Sequence, residues 1–387
     1  MSAPLKILIL AGEISGDQHG ARLLRALKTL HPDVRAFGYG GDALAAEGMD
    51  ILEHTNDLAV MGIWEVLKRY GYFRRIFREL EARVRREPPD IMLFVDYPGF
   101  NLRFAEAVRD LGIPAVHYIC PQVWAWKQSR IPKMARVLDR LICIFPFEPP
   151  LFDQTGLPAE YCGHPLVAET LAVEADPDWK TGAPRLALLP GSRVQEIDRL
   201  FPPMIRAAEH LRHRYPDLQV RVAAADAALA ARMRMLMQAD PEIPVPEFVV
   251  GNTRALLKGA DAALVTSGTA TLETALLGTP MVITYRTSPL TYAIGKRVVK
   301  VKWIGMVNLV AGREVCPEKI QHEATPGALA DAAAPLLTDT PLRRKMLEGL
   351  AEVRAALLPD DEGRRPAACI LDLLDKPVNP ASVRADE

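Results

Sequence analysis

Three segments in the first half of the chain carry residue types suited to group transfer, and each follows a short apolar run. After residues 7–11 comes Gly12-Glu13-Ile14-Ser15-Gly16-Asp17. Its two glycines permit a tight turn and close approach of a substrate, with Glu13, Ser15 and Asp17 on the same rim. The alternative is a plain turn, with Asp17 in a first helical turn where the helix dipole favours a carboxylate. The spacing is not the GxGxxG of a dinucleotide site. After 91–95 comes Asp96-Tyr97-Pro98-Gly99-Phe100-Asn101. An acid at the end of a buried strand is costly unless it is used, which makes Asp96 a candidate general base for an attacking hydroxyl. The competing role is a cap on the following turn. After 115–119 comes Cys120-Pro121-Gln122-Val123-Trp124-Ala125-Trp126-Lys127. Trp124 and Trp126, beside Lys127, Arg130, Lys133 and Arg136, suit a sugar, a phosphate or an acyl chain, or else pack into the core.

The second half carries equipment for a nucleoside diphosphate. Pro190-Gly191-Ser192-Arg193 ends an apolar run and precedes a helical pattern, so backbone N–H groups, a hydroxyl and a guanidinium converge as a phosphate requires. Farther on, 262–266 runs into Ser267-Gly268-Thr269, a second small-residue helix start. Glu273 lies six residues after Ser267, where a carboxylate can reach ribose hydroxyls. No DxD-type acidic pair follows a strand and the eight histidines are dispersed, so no metal or other cofactor is expected. Arg193 and the helix N-termini would then neutralise a departing diphosphate.

These segments need a scaffold that brings strand ends together. Continuous apolar runs at 7–11, 91–95, 115–119, 141–145, 185–189, 219–223, 262–266 and 281–285 alternate with helical patterns, which predicts parallel sheets buried on both faces. In such sheets ligands bind beyond the carboxyl ends of the strands. The 387 residues are ample for two domains, and the polar stretch 168–184 reads as their linker. The expected organisation is a first domain over 1–167, facing acceptor and membrane, and a nucleotide-sugar domain over 168–345. Helices over 346–376 are expected to pack back on the first domain, with a frayed tail at 377–387.

Composition narrows the partners. A formal net charge of −1 gives no global attraction to nucleic acid. The five scattered cysteines lack the spacing of a disulfide framework or zinc ribbon and read as small core residues. Neither a targeting signal nor an apolar run of the roughly 18 residues that suggest a spanning helix is present, so a soluble or peripheral protein is expected. Residues 68–87 hold eight basic residues against three acids. There Phe73, Ile76, Phe77, Leu80 and Val84 fall at helical spacing, with Arg74, Arg75 and Arg78 off that stripe: an amphipathic helix on a sheet. Only the segment before it, with Met61, Ile63, Trp64, Leu67 and Tyr70, remains a candidate membrane or acyl-chain contact. A second basic–apolar run, 296–304, leads to Asn308 and Arg313, further candidates for the cleft.

In their order and over nearly the whole length, these motifs resemble the lipid-A-disaccharide synthase family. The resemblance rests on 11–17, Pro121-Gln122-Val123-Trp124-Ala125-Trp126, Leu189 to Arg193, Ser267 to Glu273, and Asn308-Leu309-Val310-Ala311-Gly312-Arg313. It implies a GT-B fold, two Rossmann-like doubly wound domains facing a cleft, and inverting, metal-independent hexosyl transfer. The implied donor is UDP-2,3-diacylglucosamine and the acceptor 2,3-diacylglucosamine 1-phosphate, giving the β-1,6-linked disaccharide phosphate and UDP. It further implies a peripheral place on the cytoplasmic face of the inner membrane, and a swapped homodimer. By matching motif, Asp96 resembles the family's base with Asn101 beside it; Arg193, Ser267 to Thr269 and Glu273 resemble its UDP site. Many members carry a second acid where this chain has Gly99, which puts shared work between two carboxylates in doubt. The competing readings are another GT-B enzyme, such as a transferase to a lipid-linked cell-wall precursor or a UDP-sugar epimerase, and a non-catalytic nucleotide-binding module at a membrane surface.

Overall fold

A computed structural model describes residues 4–58, 69–171, 173–176, 178–299, 301–358 and 366–374. The chain divides into two compact units, Met1–His164 with Pro359–Glu387, and Pro165–Leu358.

The first unit is built on a seven-stranded sheet of β1 (Leu5–Ala11), β2 (Val34–Gly40), β3 (Asp50–His54), β4 (Ile91–Val95), β5 (Ala115–Tyr118), β6 (Arg140–Cys143) and β7 (Ala159–Tyr161). Its order is β3-β2-β1-β4-β5-β6-β7, and every paired strand is parallel. The second unit holds β8 (Arg185–Leu189), β9 (Gln219–Ala224), β10 (Glu247–Val250), β11 (Ala262–Thr266), β12 (Met281–Tyr285) and β13 (Glu318–Ile320). Their order is β10-β9-β8-β11-β12-β13, again all parallel. Both sheets are doubly wound, with the strand order reversing between β1 and β4 and between β8 and β11. Central strands such as β4 and β11 are buried along their whole length, as faces covered on both sides by helices require.

Helix α1 (Ile14–Leu30) follows β1, α2 (Asp42–Ala46) follows β2, and α3 (Tyr70–Arg86) leads into β4. On α3, Ile76, Leu80 and Val84 are buried at four-residue spacing, whereas Arg74, Arg75 and Arg78 are exposed. Phe77 packs edge-on against Phe100 and Phe104 of α4 (Pro98–Ala107), at 5.5 and 5.6 Å between ring centres. In the second unit, α5 (Val194–Arg214) follows β8 and α6 (Thr269–Leu276) follows β11.

The helices expected over 346–376 to pack back on the first domain divide between the two units. Helix Pro341–Leu357 belongs to the second unit, where its stripe Met346, Leu350, Val353 and Leu357 is buried as it packs on α6 and on helix Met306–Ala311. Only Pro366–Leu374 lies in the first unit, against α1. The apolar stripe of 346–357 thus has its partner within the second unit. No helix among the described residues is long and apolar enough to cross a membrane.

Candidate functional site

The crossovers at β1/β4 and β8/β11 are switch points, where the loops leaving adjacent strands part to opposite faces and open a crevice. Four of the sequence motifs follow these four strands, and the Trp124–Trp126 motif follows the neighbouring β5. In the first unit, Gly12-Glu13 leaves β1 and Asp96-Tyr97 leaves β4. The backbone there is under strain: Asp96 has φ 48° and Tyr97 φ 50°, the left-handed region that non-glycine residues rarely enter. Such strain persists where surrounding structure enforces it, and it clusters at functional sites. Tyr97 is turned onto Gly12, where an added Cβ would fall 2.4 Å from a ring carbon. Burial, followed by the charge of Glu13, raises the pKa of Asp96 above the ordinary carboxylate value. The second carboxylate influencing Asp96 therefore comes from β1's loop rather than from position 99. Gly99 itself is exposed, and a Cβ there would meet nothing within 4 Å.

Two expected site residues serve the scaffold instead. Asp17 is only 5% exposed, and its carboxylate accepts the backbone N–H groups of Gly41, Ala43 and Leu44 at 2.7, 3.0 and 3.1 Å. It caps the start of α2 from a neighbouring element, so its oxygens do not face the rim. Asp17→Ala is expected to lower stability by about 2–4 kcal/mol, because it strips partners from buried N–H groups; thermal denaturation measures it. Asn101 is fully buried. Its Nδ2 donates to the carbonyls of Asp96 at 2.6 Å and Leu10 at 3.3 Å, tying the ends of β4 and β1 together. It holds Asp96 in place without facing solvent. Glu13 and Ser15 remain exposed at the turn.

The tryptophans divide. Trp126 is 40% exposed, with the Lys127 ammonium 4.2 Å from its ring centre. Trp124 is half-buried, lies edge-on to Phe147, and donates from Nε1 to Glu148 at 3.1 Å. Glu148, missed in the sequence, is 1% exposed and also accepts from Ile144 and Phe145 N–H. Burial pushes its pKa up to about 7 against those hydrogen bonds. All five cysteines are buried, and none forms a disulfide among the described residues. Folding nevertheless brings Cys120, Cys143 and Glu148 donor atoms within 4.8 Å of one another, a grouping that the linear spacing hides.

In the second unit, the loop after β8 turns at Gly191 with φ 119°. A side chain there would strike Glu196, whose carboxylate folds back over the turn. Glu196 accepts from Ser192 N–H at 3.1 Å and pairs with Arg193 Nη1 at 3.1 Å. It thus occupies the position an anion would take at the start of α5. Arg193 is 72% exposed and able to swing from Glu196 to a ligand. After β11, Gly268 and Thr269 are exposed at the head of α6, while Ser267 Oγ donates to Ile304 O at 2.9 Å. Glu273 is held by Arg254 Nε and Nη2 at 2.9 and 2.7 Å, and Arg254 also bonds Glu169. Glu273 and Arg254 line a cavity of about 810 Å³ with Gly251 to Thr253, Ala255 and Val173 to Ala175. Neither Arg254 nor Glu169 carries a local sequence signal; their partners lie 19 and 85 residues away.

Asn308 and Arg313, expected at the cleft, both have partners within the second unit. Asn308 is fully buried and saturated: it donates to Cys316 O and Glu318, and accepts from Val315 and Cys316 N–H. Glu318 in turn accepts from Ile304 and Gly305 N–H, so Asn308 braces the loop that receives Ser267. Arg313 forms an ion pair with Glu352 on helix Pro341–Leu357. Of the membrane candidates, Met61, Ile63, Trp64 and Leu67 lie outside the described residues; Tyr70 is 61% exposed at the start of α3.

Comparison with known proteins places this geometry among relatives. A family model described as lipid-A-disaccharide synthetase matches residues 7–360. The lipid-A-disaccharide synthase of Myxococcus xanthus is 38% identical over 384 residues, covering 97% of this chain and 99% of its own. That of Geobacter sulfurreducens is 38% identical over 380 residues, covering 96% and 98%. Among solved structures, the UDP-GlcNAc 2-epimerase from Neisseria meningitidis bound to UDP-GlcNAc superposes with a TM-score of 0.61 at 12% identity, over 96% of this chain and 100% of that one. The glycotransferase of kitacinnamycin gives 0.61 at 16% identity, over 97% and 99%. At such identities the likeness shows the fold alone: two doubly wound parallel α/β domains of the GT-B class.

Proposed function

The chain belongs to the lipid-A-disaccharide synthase family, and from that membership we propose how its two switch points divide the work of transfer. The enzyme is a glycosyltransferase of lipid A biosynthesis. It condenses UDP-2,3-diacylglucosamine with 2,3-diacylglucosamine 1-phosphate to give the β-1,6-linked disaccharide 1-phosphate and UDP. The observation that carries the division is the placing of chemistry at both reversals of strand order. Asp96 stands at β1/β4, and Arg193 with Ser267 to Thr269 stands at β8/β11.

In this mechanism the acceptor's 6-hydroxyl attacks the anomeric carbon of the donor while Asp96 takes its proton. The C1–O bond to UDP breaks on the opposite face, so the configuration inverts. A raised pKa makes Asp96 a stronger base than an ordinary carboxylate. The leaving diphosphate gains negative charge, which Arg193, the Ser192 hydroxyl and the N-terminus of α6 stabilise. On diphosphate binding Arg193 exchanges Glu196 for phosphate oxygens. Glu273 takes the ribose hydroxyls, and the base enters the cavity beside the 251–255 backbone. Trp124, Trp126, Glu13 and Ser15 flank the acceptor.

A non-catalytic nucleotide-binding module is the reading to exclude. With the purified protein, UDP release is expected only when donor and acylated acceptor are both present. Nucleotide binding with no release under those conditions contradicts transfer.

The acceptor's acyl chains favour work at a membrane surface, and the proposal extends to peripheral attachment at the cytoplasmic face of the inner membrane. Exposed Tyr70 beside the exposed Arg74, Arg75 and Arg78 of α3 supports it. Each basic residue near an anionic surface contributes about 1 kcal/mol. Changing these three arginines to glutamine is therefore expected to weaken co-sedimentation with anionic vesicles about a hundredfold at low salt, and to leave neutral vesicles unaffected. Equal binding by wild type and variant removes α3 from the membrane contact. A homodimer is proposed on the resemblance alone, and sedimentation equilibrium tests it.

A further inference from the structure

Helix α5 contains two adjacent prolines, Pro202 and Pro203, in its interior. Proline has no N–H, so the carbonyls of Asp198 and Arg199 receive no i→i+4 donor. This stretch forms one wall of a cavity of about 670 Å³; the loops after β12 and β13, with Arg286 and Gln321, form the others. All these loops lie at the carboxyl edge of the second sheet, the edge parallel α/β folds use for ligands.

The charges on the cavity wall do not cancel. Asp198 is occupied by Arg232, with contacts of 2.8 and 3.1 Å. Arg206 is occupied by Asp240, at 3.0 Å to each oxygen. That leaves Arg199 and Arg286, for which no carboxylate partner is found among the described residues. Arg185, Arg214, Arg221 and Arg254 of the same unit each meet a carboxylate, whereas these two guanidiniums share a cavity without one. Arg286 is also held in position. Its Nε donates to Gln321 O at 3.0 Å, and the Gln321 amide grips Thr287 by N–H and C=O at 2.8 and 3.2 Å. Gln321 adopts φ 53°, a conformation that persists where the surroundings enforce it. His322 follows on the same rim.

We propose that this cavity is a second anion site of the nucleotide-sugar unit, binding a phosphomonoester that is carried on a hydroxylated body such as a sugar. Two guanidinium forks match a dianion with three acceptor oxygens. The carbonyls of Asp198 and Arg199 accept from hydroxyls, and the proline faces receive the C–H face of a ring. The volume exceeds what phosphate alone fills. The cavity's lining does not include the turns after β8 and β11, and the proposal does not depend on the diphosphate assignment made there.

Calorimetric titration with glucosamine 1-phosphate and with inorganic phosphate tests it, using wild type, Arg199→Gln, Arg286→Gln and the double variant. Melting temperatures of all four confirm that they fold. Each single change is expected to weaken glucosamine 1-phosphate about tenfold or more, since each removes one charge-assisted contact. The double change is expected to abolish the binding that this cavity contributes, with UDP affinity within about twofold of wild type. Glucosamine 1-phosphate bound equally by all four proteins overturns the proposal, because the ligand then sits elsewhere. A parallel fall in UDP affinity also overturns it, because the cavity then belongs to the donor site. A further arm compares phosphatidylcholine vesicles with and without phosphatidic acid. Capture that depends on phosphatidic acid and is lost in the double variant assigns the phosphomonoester to a lipid headgroup; titration without such capture assigns it to a soluble sugar phosphate.

Discussion

Asp96→Asn is expected to lower turnover by about 10²–10⁴-fold, the usual contribution of a positioned general base, with UDP affinity unchanged. The asparagine preserves size and the strained turn but cannot take a proton. The pH profile supplies an independent readout. A general base at this position acts as the carboxylate, and the pKa of Asp96 lies above the ordinary value because of burial and Glu13. The rate should therefore rise with pH through that elevated pKa, with an acid limb above the normal carboxylate range, and the limb should vanish in the variant. Glu13→Gln removes the repelling charge, so it should move the limb toward lower pH. Undiminished turnover in Asp96→Asn would take the base role from this residue, and an unmoved limb in Glu13→Gln would dissolve the coupling.

Glu273→Ala is expected to weaken UDP binding about tenfold or more, as loss of a charge-assisted hydrogen bond to a hydroxyl implies. The structure complicates a simple truncation, because Glu273 is also a partner of Arg254, which is shared with Glu169. A nucleotide lacking both ribose hydroxyls separates the two effects. If Glu273 holds the ribose, wild type and Glu273→Ala bind 2′,3′-dideoxy-UDP alike. If the variant loses affinity for the dideoxy nucleotide as severely as for UDP, Glu273 acts only by placing Arg254.

Central strands were legible because burial on both faces writes itself as an unbroken apolar run: Ile91 to Val95 and Ala262 to Thr266 are buried throughout. The strands without such a run lie toward the sheet edges. Glu160, Glu247, Glu318 and Lys319 sit within β7, β10 and β13, and charge on an edge strand discourages pairing with another chain while it erases the apolar signal. Polar residues inside motifs were harder to apportion. Asp17, Asn101 and Asn308 satisfy backbone groups of other elements, and sequence spacing cannot separate a ligand's hydrogen bond from a neighbouring loop's. Glu148, Glu169 and Arg254 carry no signal in the sequence for the converse reason. Their significance lies in partners that only the fold supplies: Trp124 for Glu148, and Glu273 with Arg254 for the other two.

Strain sharpens the picture of the first unit. Four of its non-glycine residues with positive φ, Asp96, Tyr97, Ile119 and Lys127, follow β4 and β5, on the same sheet edge as Glu13. Aspartate enters the left-handed region more often than most non-glycine residues, but too rarely for sequence alone to foretell it. Asn101 contributes to enforcing it from below through the Asp96 carbonyl.

Single displacement at the donor's anomeric carbon leaves a signature in the product. Purified protein incubated with UDP-2,3-diacylglucosamine and 2,3-diacylglucosamine 1-phosphate should yield one tetraacyl disaccharide phosphate by mass spectrometry. The proton coupling at the new anomeric centre should be that of a β linkage. An α-linked product, or a free acylated sugar formed with the acceptor unconsumed, would contradict direct transfer between the two sites.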